Sequence, residues 1–293
     1  MSSRFENRNE NNPVIRAEYC KDNYTVWQCN KDSRTTYVFF SGNGLYYPDT
    51  RENFEKKIVR GNRYEWENIA QSPVLRKKAH RIVLMRDLFA SWYVLGISEK
   101  YNNVEKVASL VKELAGTDEL VTVGSSAGGY MAVLTGILAG AKRCICASPQ
   151  FDILEYDKNN ILINKYLDSD LHRKYYDISE LFKQSGLPVY YLFPCGSEKD
   201  IAQYSKVKEC SSLKMLYLDS DQHGAMPMKG QLPYLLVKSE EELDLLSQKI
   251  GTKSYGTLKW LLVSEGYVRA ALILLKYVWR KFKKRIKVKK FSN

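Results

Sequence analysis

The five residues Gly124-Ser125-Ser126-Ala127-Gly128 constrain the fold of this chain more than any other stretch. They follow the extended apolar segment Leu120 to Val123 and precede a run of small and apolar residues from Tyr130 to Leu138. A strand that turns sharply into a helix holds the residue at the turn, Ser126, in a strained conformation, and side chains at positions 124 and 128 would collide with neighbouring backbone. Glycine at both positions meets that demand, and Gly129 adds room. GxSxG between a strand and a helix is the pattern that lifts a serine hydroxyl above the edge of a parallel sheet, with the helix N-terminus aimed at its reaction partner. The alternative is a glycine-rich turn whose serine only caps the helix.

Extended segments recur at Val14 to Tyr19, Tyr24 to Gln28, Thr36 to Ser41, Ile82 to Met85, Leu120 to Val123, Arg143 to Ala147, Val189 to Phe193 and Met215 to Leu218. The first two lie close enough to pair as a hairpin. The later ones alternate with helical stretches, which predicts an α/β fold with a mostly parallel sheet flanked by helices. Asn102 to Leu114 carries apolar residues at helical spacing, and Ser239 followed by three Glu residues is a strong helix start. The segment 151–187 reads as a helical insertion covering the carboxyl edge of the sheet. The expected organisation is a disordered start at 1–12, a catalytic domain at 13–252 and a tail at 253–293.

A serine hydroxyl is a poor nucleophile near neutral pH and needs a base. Of the three histidines, His80 precedes a strand and belongs to the amino edge, and His172 sits in the insertion. His223 follows the last strand, downstream of the serine, and is the expected base. The carboxylate that orients it belongs in the loop after the preceding strand. Asp200 is the first choice there and Glu198 the second. The oxyanion donors are expected at the backbone N–H of Ala127 and in Ser41-Gly42-Asn43-Gly44, at Asn43 or Gly44. Asp87, Trp92, Tyr93 and Gln150 fall near strand ends and are candidate pocket residues, with core packing the competing explanation for the aromatic pair. The six cysteines show no paired CxxC and no histidine at metal spacing, so reduced thiols are expected and neither a metal nor a cofactor is called for. Cys144 and Cys146 fall on one face of a strand.

Together, the elbow Val123 to Tyr130, the strand end Ser148-Pro149-Gln150, the pairs Arg86-Asp87 and Trp92-Tyr93, and the late Asp200 and His223 resemble the α/β-hydrolase superfamily. Within it they are most similar to the α/β-hydrolase-like proteins found with bacterial capsule and surface-polysaccharide genes. The resemblance spans roughly residues 35 to 250. It implies an α/β-hydrolase fold and hydrolysis or transfer of an acyl group on a glycan or its precursor. It departs from esterase patterns in lacking a His-Gly pair in the oxyanion loop, where Gly42-Asn43-Gly44 stands instead.

The formal charge of +12 is concentrated at one end. From Lys253 to Asn293 there are 12 basic residues and one acid, Glu265, a net of +11 that leaves the other 252 residues at +1. Trp279 and Phe282 fall on one side of a helical projection, with Arg280, Lys283, Lys284 and Lys287 on another. A basic amphipathic helix with aromatic residues suits an anionic membrane surface, with a helix docked on the body or on a partner protein as the first alternative and nucleic acid as the second. With no signal-peptide pattern at the start, the expectation is a cytoplasmic serine esterase held peripherally on the inner membrane face. An O-acyltransferase using the same triad and a non-catalytic scaffold are the alternatives, and the sequence carries no signal for oligomeric state.

Overall fold

The computed structural model describes residues 8–290, apart from the side chains of residues 280 and 283–290. Seven strands form its one sheet: β1 (Tyr24–Gln28), β2 (Thr35–Phe40), β3 (Arg81–Met85), β4 (Glu119–Ser125), β5 (Arg143–Ala147), β6 (Val189–Pro194) and β7 (Leu213–Leu218), in the order β1-β3-β2-β4-β5-β6-β7. Six are parallel, and only β1 runs antiparallel, on the outer side of β3.

Both faces of the sheet are covered, which explains strands that are apolar at nearly every position. Val38, Phe40, Val83, Met85 and Tyr191 point to one face, as do Cys144 and Cys146, where α2 (Val104–Ala115) and α3 (Ala127–Ala139) bury Val107, Val111, Tyr130 and Met131. Tyr37, Phe39, Ile82, Leu84, Val121, Val123, Ile145 and Leu216 point to the other, against Trp66, Leu75, Leu235, Leu243 and Trp260. Because α3 lies under the insertion as well as on the sheet, almost every residue of its first three turns is buried.

Residues 13–19 are a helix rather than a strand. In α1 (Pro13–Tyr19) the Asn12 side chain accepts a hydrogen bond from the Val14 N–H, and Pro13 occupies the first turn, where its missing N–H costs nothing. The expected hairpin with Tyr24 to Gln28 therefore does not form, and β1 pairs with β3 instead. Residues 8–12 are engaged rather than a free start: Arg8 pairs with Asp157, and Glu10 with Lys165 and Tyr166. Residues 1–7 lie outside the described residues.

The segment 151–187 contains four short helices, Ile153–Tyr156, Ile161–Lys165, Asp170–Arg173 and Ser179–Ser185. After β6 comes α4 (Glu198–Ser205), and after β7 come α5 (Glu240–Ile250) and α6 (Thr257–Lys290). A full capping box at Ser239 and Glu242 starts α5. Gly266, at φ 72° and ψ 169°, breaks α6 into two. The first half docks on the body through Trp260 and Leu261, with the Trp260 indole N–H donating to the Tyr217 carbonyl at 3.0 Å. Among the described residues no helix is long and apolar enough to cross a membrane.

Candidate active site

The carboxyl ends of the parallel strands converge on Ser126. Its φ of 54° and ψ of −125° lie outside the ordinary regions, as a strand-to-helix elbow requires. Two backbone contacts hold that turn closed. A Cβ on Gly124 would sit 1.9 Å from the Gly128 carbonyl oxygen, and one on Gly128 would sit 2.2 Å from that of Phe40. The glycine pattern is thus set by β2, β4 and α3 touching backbone to backbone.

His223 Nε2 lies 2.9 Å from Ser126 Oγ, and its Nδ1 lies 3.1 Å from each oxygen of Asp200. Three segments separated by as many as 97 residues meet here. Asp200, in the first turn of α4, is 1% exposed at its side chain, so its carboxylate is shielded and fixed, whereas His223 keeps 25% of its side chain open to solvent. The Tyr191 hydroxyl donates to Asp200 Oδ1 at 3.4 Å. Glu198, two residues earlier, is exposed. His80 and His172 have other partners, Asp118 at the amino edge and Ser169 in the insertion.

The expected oxyanion donors belong to two segments. Ala127 is the first residue of α3, among the N–H groups that find no acceptor within their own helix. The loop after β2 presses on the elbow, since a Cβ on Gly42 would meet the Ser125 carbonyl oxygen at 2.6 Å. The Gly42 N–H is already taken by Glu65 Oε2 at 2.5 Å. Asn43 begins the short turn Asn43–Tyr46 half-buried, and Gly44 is exposed, with open space where its Cβ would be.

The four candidate pocket residues prove to be supports. Asp87 is buried and accepts from the N–H groups of Phe89, Ser91 and Tyr93 and from the Ser91 hydroxyl. Those bonds fasten a loop in which Ala90, Trp92 and Tyr93 all have positive φ. Burial raises the Asp87 carboxyl above its ordinary value, and the hydrogen bonds oppose that rise. Tyr93 is fully buried, with its hydroxyl donating to the Ser41 carbonyl at 2.8 Å, and so braces the loop after β2. Trp92 is buried as well and donates to Gln150 Oε1 at 2.9 Å. Gln150 in turn donates to the Ser148 carbonyl. Ser148, at φ 47°, accepts the Gly224 N–H on its hydroxyl at 2.8 Å, which ties down the loop next to His223. A sugar cannot stack on rings packed this way, because they offer no free face.

Three further residues stand at the site, Tyr156, Lys199 and Glu65. Tyr156, from the insertion, places its ring 5.5 Å from the imidazole of His223, and burial pushes its phenol up to about 12. Lys199 Nζ stands 5.3 Å from the centre of the same ring. Glu65 comes from a loop between helices, and desolvation raises its carboxyl while the Gly42 hydrogen bond lowers it. Nothing in the local sequence marks any of the three. Among the described residues, no group of His, Cys, Asp and Glu could hold a metal ion.

The order of the strands, the elbow serine, an acid after β6 and a histidine after β7 define an α/β-hydrolase fold with a serine-histidine-aspartate constellation at its carboxyl edge. No family model matches the chain, and no curated protein matches it. Among solved structures it is similar to a capsule O-acetyltransferase of Neisseria meningitidis serogroup A, with 14% identity, 66% of this chain and 81% of that chain covered, and a TM-score of 0.46. A lipase-esterase related protein from Clostridium acetobutylicum shares 14% identity over 78% of this chain and 98% of that one, with a TM-score of 0.42. The 2,6-dihydroxy-pseudo-oxynicotine hydrolase shares 14% over 73% and 63%, with a TM-score of 0.48. The class follows from strand order and site geometry, and likenesses this distant add no weight to it.

Proposed function

We propose that this chain is a serine esterase acting on an acylated glycan or glycan precursor. The observation that carries the reading is the unbroken line from Asp200 through His223 to Ser126, with contacts of 3.1 and 2.9 Å. In the first half-reaction His223 Nε2 takes the Ser126 proton as Oγ attacks the ester carbonyl carbon. The carbonyl oxygen becomes an oxyanion facing the N–H groups of Ala127 and Asn43. The intermediate collapses as His223 returns the proton to the leaving alcohol, leaving an acyl group on Ser126. Water, deprotonated by the same imidazole, then releases the acid.

The leaving alcohol must pass beside His223 to receive that proton, and the wall there is Tyr156 with Lys199 across its ring. The exposed Lys199 ammonium beside the base is a hydrogen-bond donor suited to a polyhydroxylated alcohol, which supports a sugar as the alcohol portion. Turnover of p-nitrophenyl acetate and of acetylated hexoses by the purified chain, compared with Ser126→Ala, tests the reading. Loss of all but background turnover in the variant is expected, and equal rates in the two proteins would refute it. Mass analysis of products with a free sugar present distinguishes water from a sugar hydroxyl as acceptor.

A further inference from the structure

The second half of α6 presents two apolar faces, and the body covers only one. Ala270 and Ile273 are buried against Met228 and Tyr234. At about 100° per residue the opposite side of the helix carries Val268, Leu272, Leu275 and Phe282, which are 79%, 52%, 66% and 55% exposed. Their spacing of four, three and seven residues keeps them in one stripe for four turns, longer than a scatter of surface apolar residues would make. Lys276 and Lys281 flank that stripe on either side of Leu275, and the helix continues through residue 290 with nine basic residues and no acid from Lys276 onward.

We infer that this face docks on an anionic lipid surface, with the helix lying in the plane of the interface. Charge selects the occupant. A second copy of the chain would bring an equally basic stripe against this one, whereas anionic headgroups complement it while the acyl boundary receives the apolar residues. No helix among the described residues can span a bilayer, so the contact is peripheral. The docked helix is not remote from the chemistry. Ile273 packs on Met228 and within 3.3 Å of where a Gly230 Cβ would sit, in the same loop that carries His223. The lipid-facing stripe and the base-bearing loop are therefore on opposite sides of one helix.

Flotation of the full chain with vesicles of phosphatidylglycerol and phosphatidylcholine, against phosphatidylcholine alone, tests the inference. Binding to the anionic vesicles is expected, weakening roughly fivefold for each of Lys276→Gln and Lys281→Gln, the change that about 1 kcal/mol per basic residue implies. Leu272→Asp with Leu275→Asp should abolish it, and because both side chains are exposed the melting temperature should stay at the wild-type value. Flotation unaffected by the double variant overturns the inference, as does no flotation with either vesicle. So does duplex DNA binding in place of vesicle binding, or a dimer in solution that the double variant dissolves. The readout is binding alone, so it stands or falls independently of the ester chemistry.

Discussion

Replacing Asp200 with Asn isolates what the buried carboxylate does for His223. Both of its oxygens lie 3.1 Å from Nδ1, so in Asn one of these contacts becomes an NH2 group and the other a neutral carbonyl oxygen, a weaker acceptor than the carboxylate. An amide N–H facing Nδ1 favours the tautomer with its proton on Nε2, and that nitrogen then has no lone pair to take the Ser126 proton. The carboxylate is 1% exposed, so water cannot restore the arrangement. The loss combines a charge-assisted hydrogen bond, about 1.5–3 kcal/mol, with the cost of returning the imidazole to the productive tautomer without an anion beside it. Together they come to about 4–5.5 kcal/mol, or roughly 10³–10⁴ in kcat. Stopped-flow release of p-nitrophenol from an activated acetate, with circular dichroism to confirm folding, measures it. KM should change little. A kcat within about tenfold of wild type in a folded Asp200→Asn protein would refute this role for the acid.

Two further outcomes follow from the same geometry. Gly128→Ala would ordinarily favour a helix by roughly 0.5–1 kcal/mol, but here its Cβ would stand 2.2 Å from the Phe40 carbonyl oxygen. The expected result is a loss of about 3 kcal/mol or more and a melting temperature lower by about 6–12 °C, seen by calorimetry; an unchanged or higher value would contradict the close approach. Glu65 has a carboxyl raised above its ordinary value of 4.5, with desolvation the main cause. The folded state therefore favours its protonated form, and stability is lost as pH rises through the folded-state value. Glu65→Gln keeps an acceptor for the Gly42 N–H without the ionisation. Its melting temperature relative to wild type should climb as pH is raised from 4 to 7, and a constant difference would count against a desolvated carboxylate at that loop.

The parts of the site legible in the sequence are those that backbone crowding or strand order imposes. Glycine at 124 and 128 is demanded because a Cβ at either position would lie about 2 Å from a backbone oxygen, and such a demand leaves a readable pattern. Ser126, Asp200 and His223 each follow a strand whose apolar run announces it, so their convergence at one sheet edge follows from a parallel topology. Other parts depend on contacts that no local pattern encodes. Asp87 has the sequence context of a pocket acid, but three positive-φ residues after it turn its own loop's N–H groups inward onto it. Tyr156 belongs to a helix of four residues, too short to show a period. Val14 to Tyr19 has strand-like composition, and the cap at Asn12 with Pro13 in the first turn decided the matter the other way. In the tail, Gly266 divides one apolar stretch into a part that serves the core and a part that presents a bare stripe.

Incubating the full chain with a fluorophosphonate and measuring intact mass, followed by peptide mapping, shows whether Ser126 is a nucleophile activated by His223. A single adduct on the peptide containing Ser126, absent in Ser126→Ala and slowed at least a hundredfold in His223→Ala, is the expected result. No adduct on the wild-type chain, or one that persists in Ser126→Ala, would contradict it.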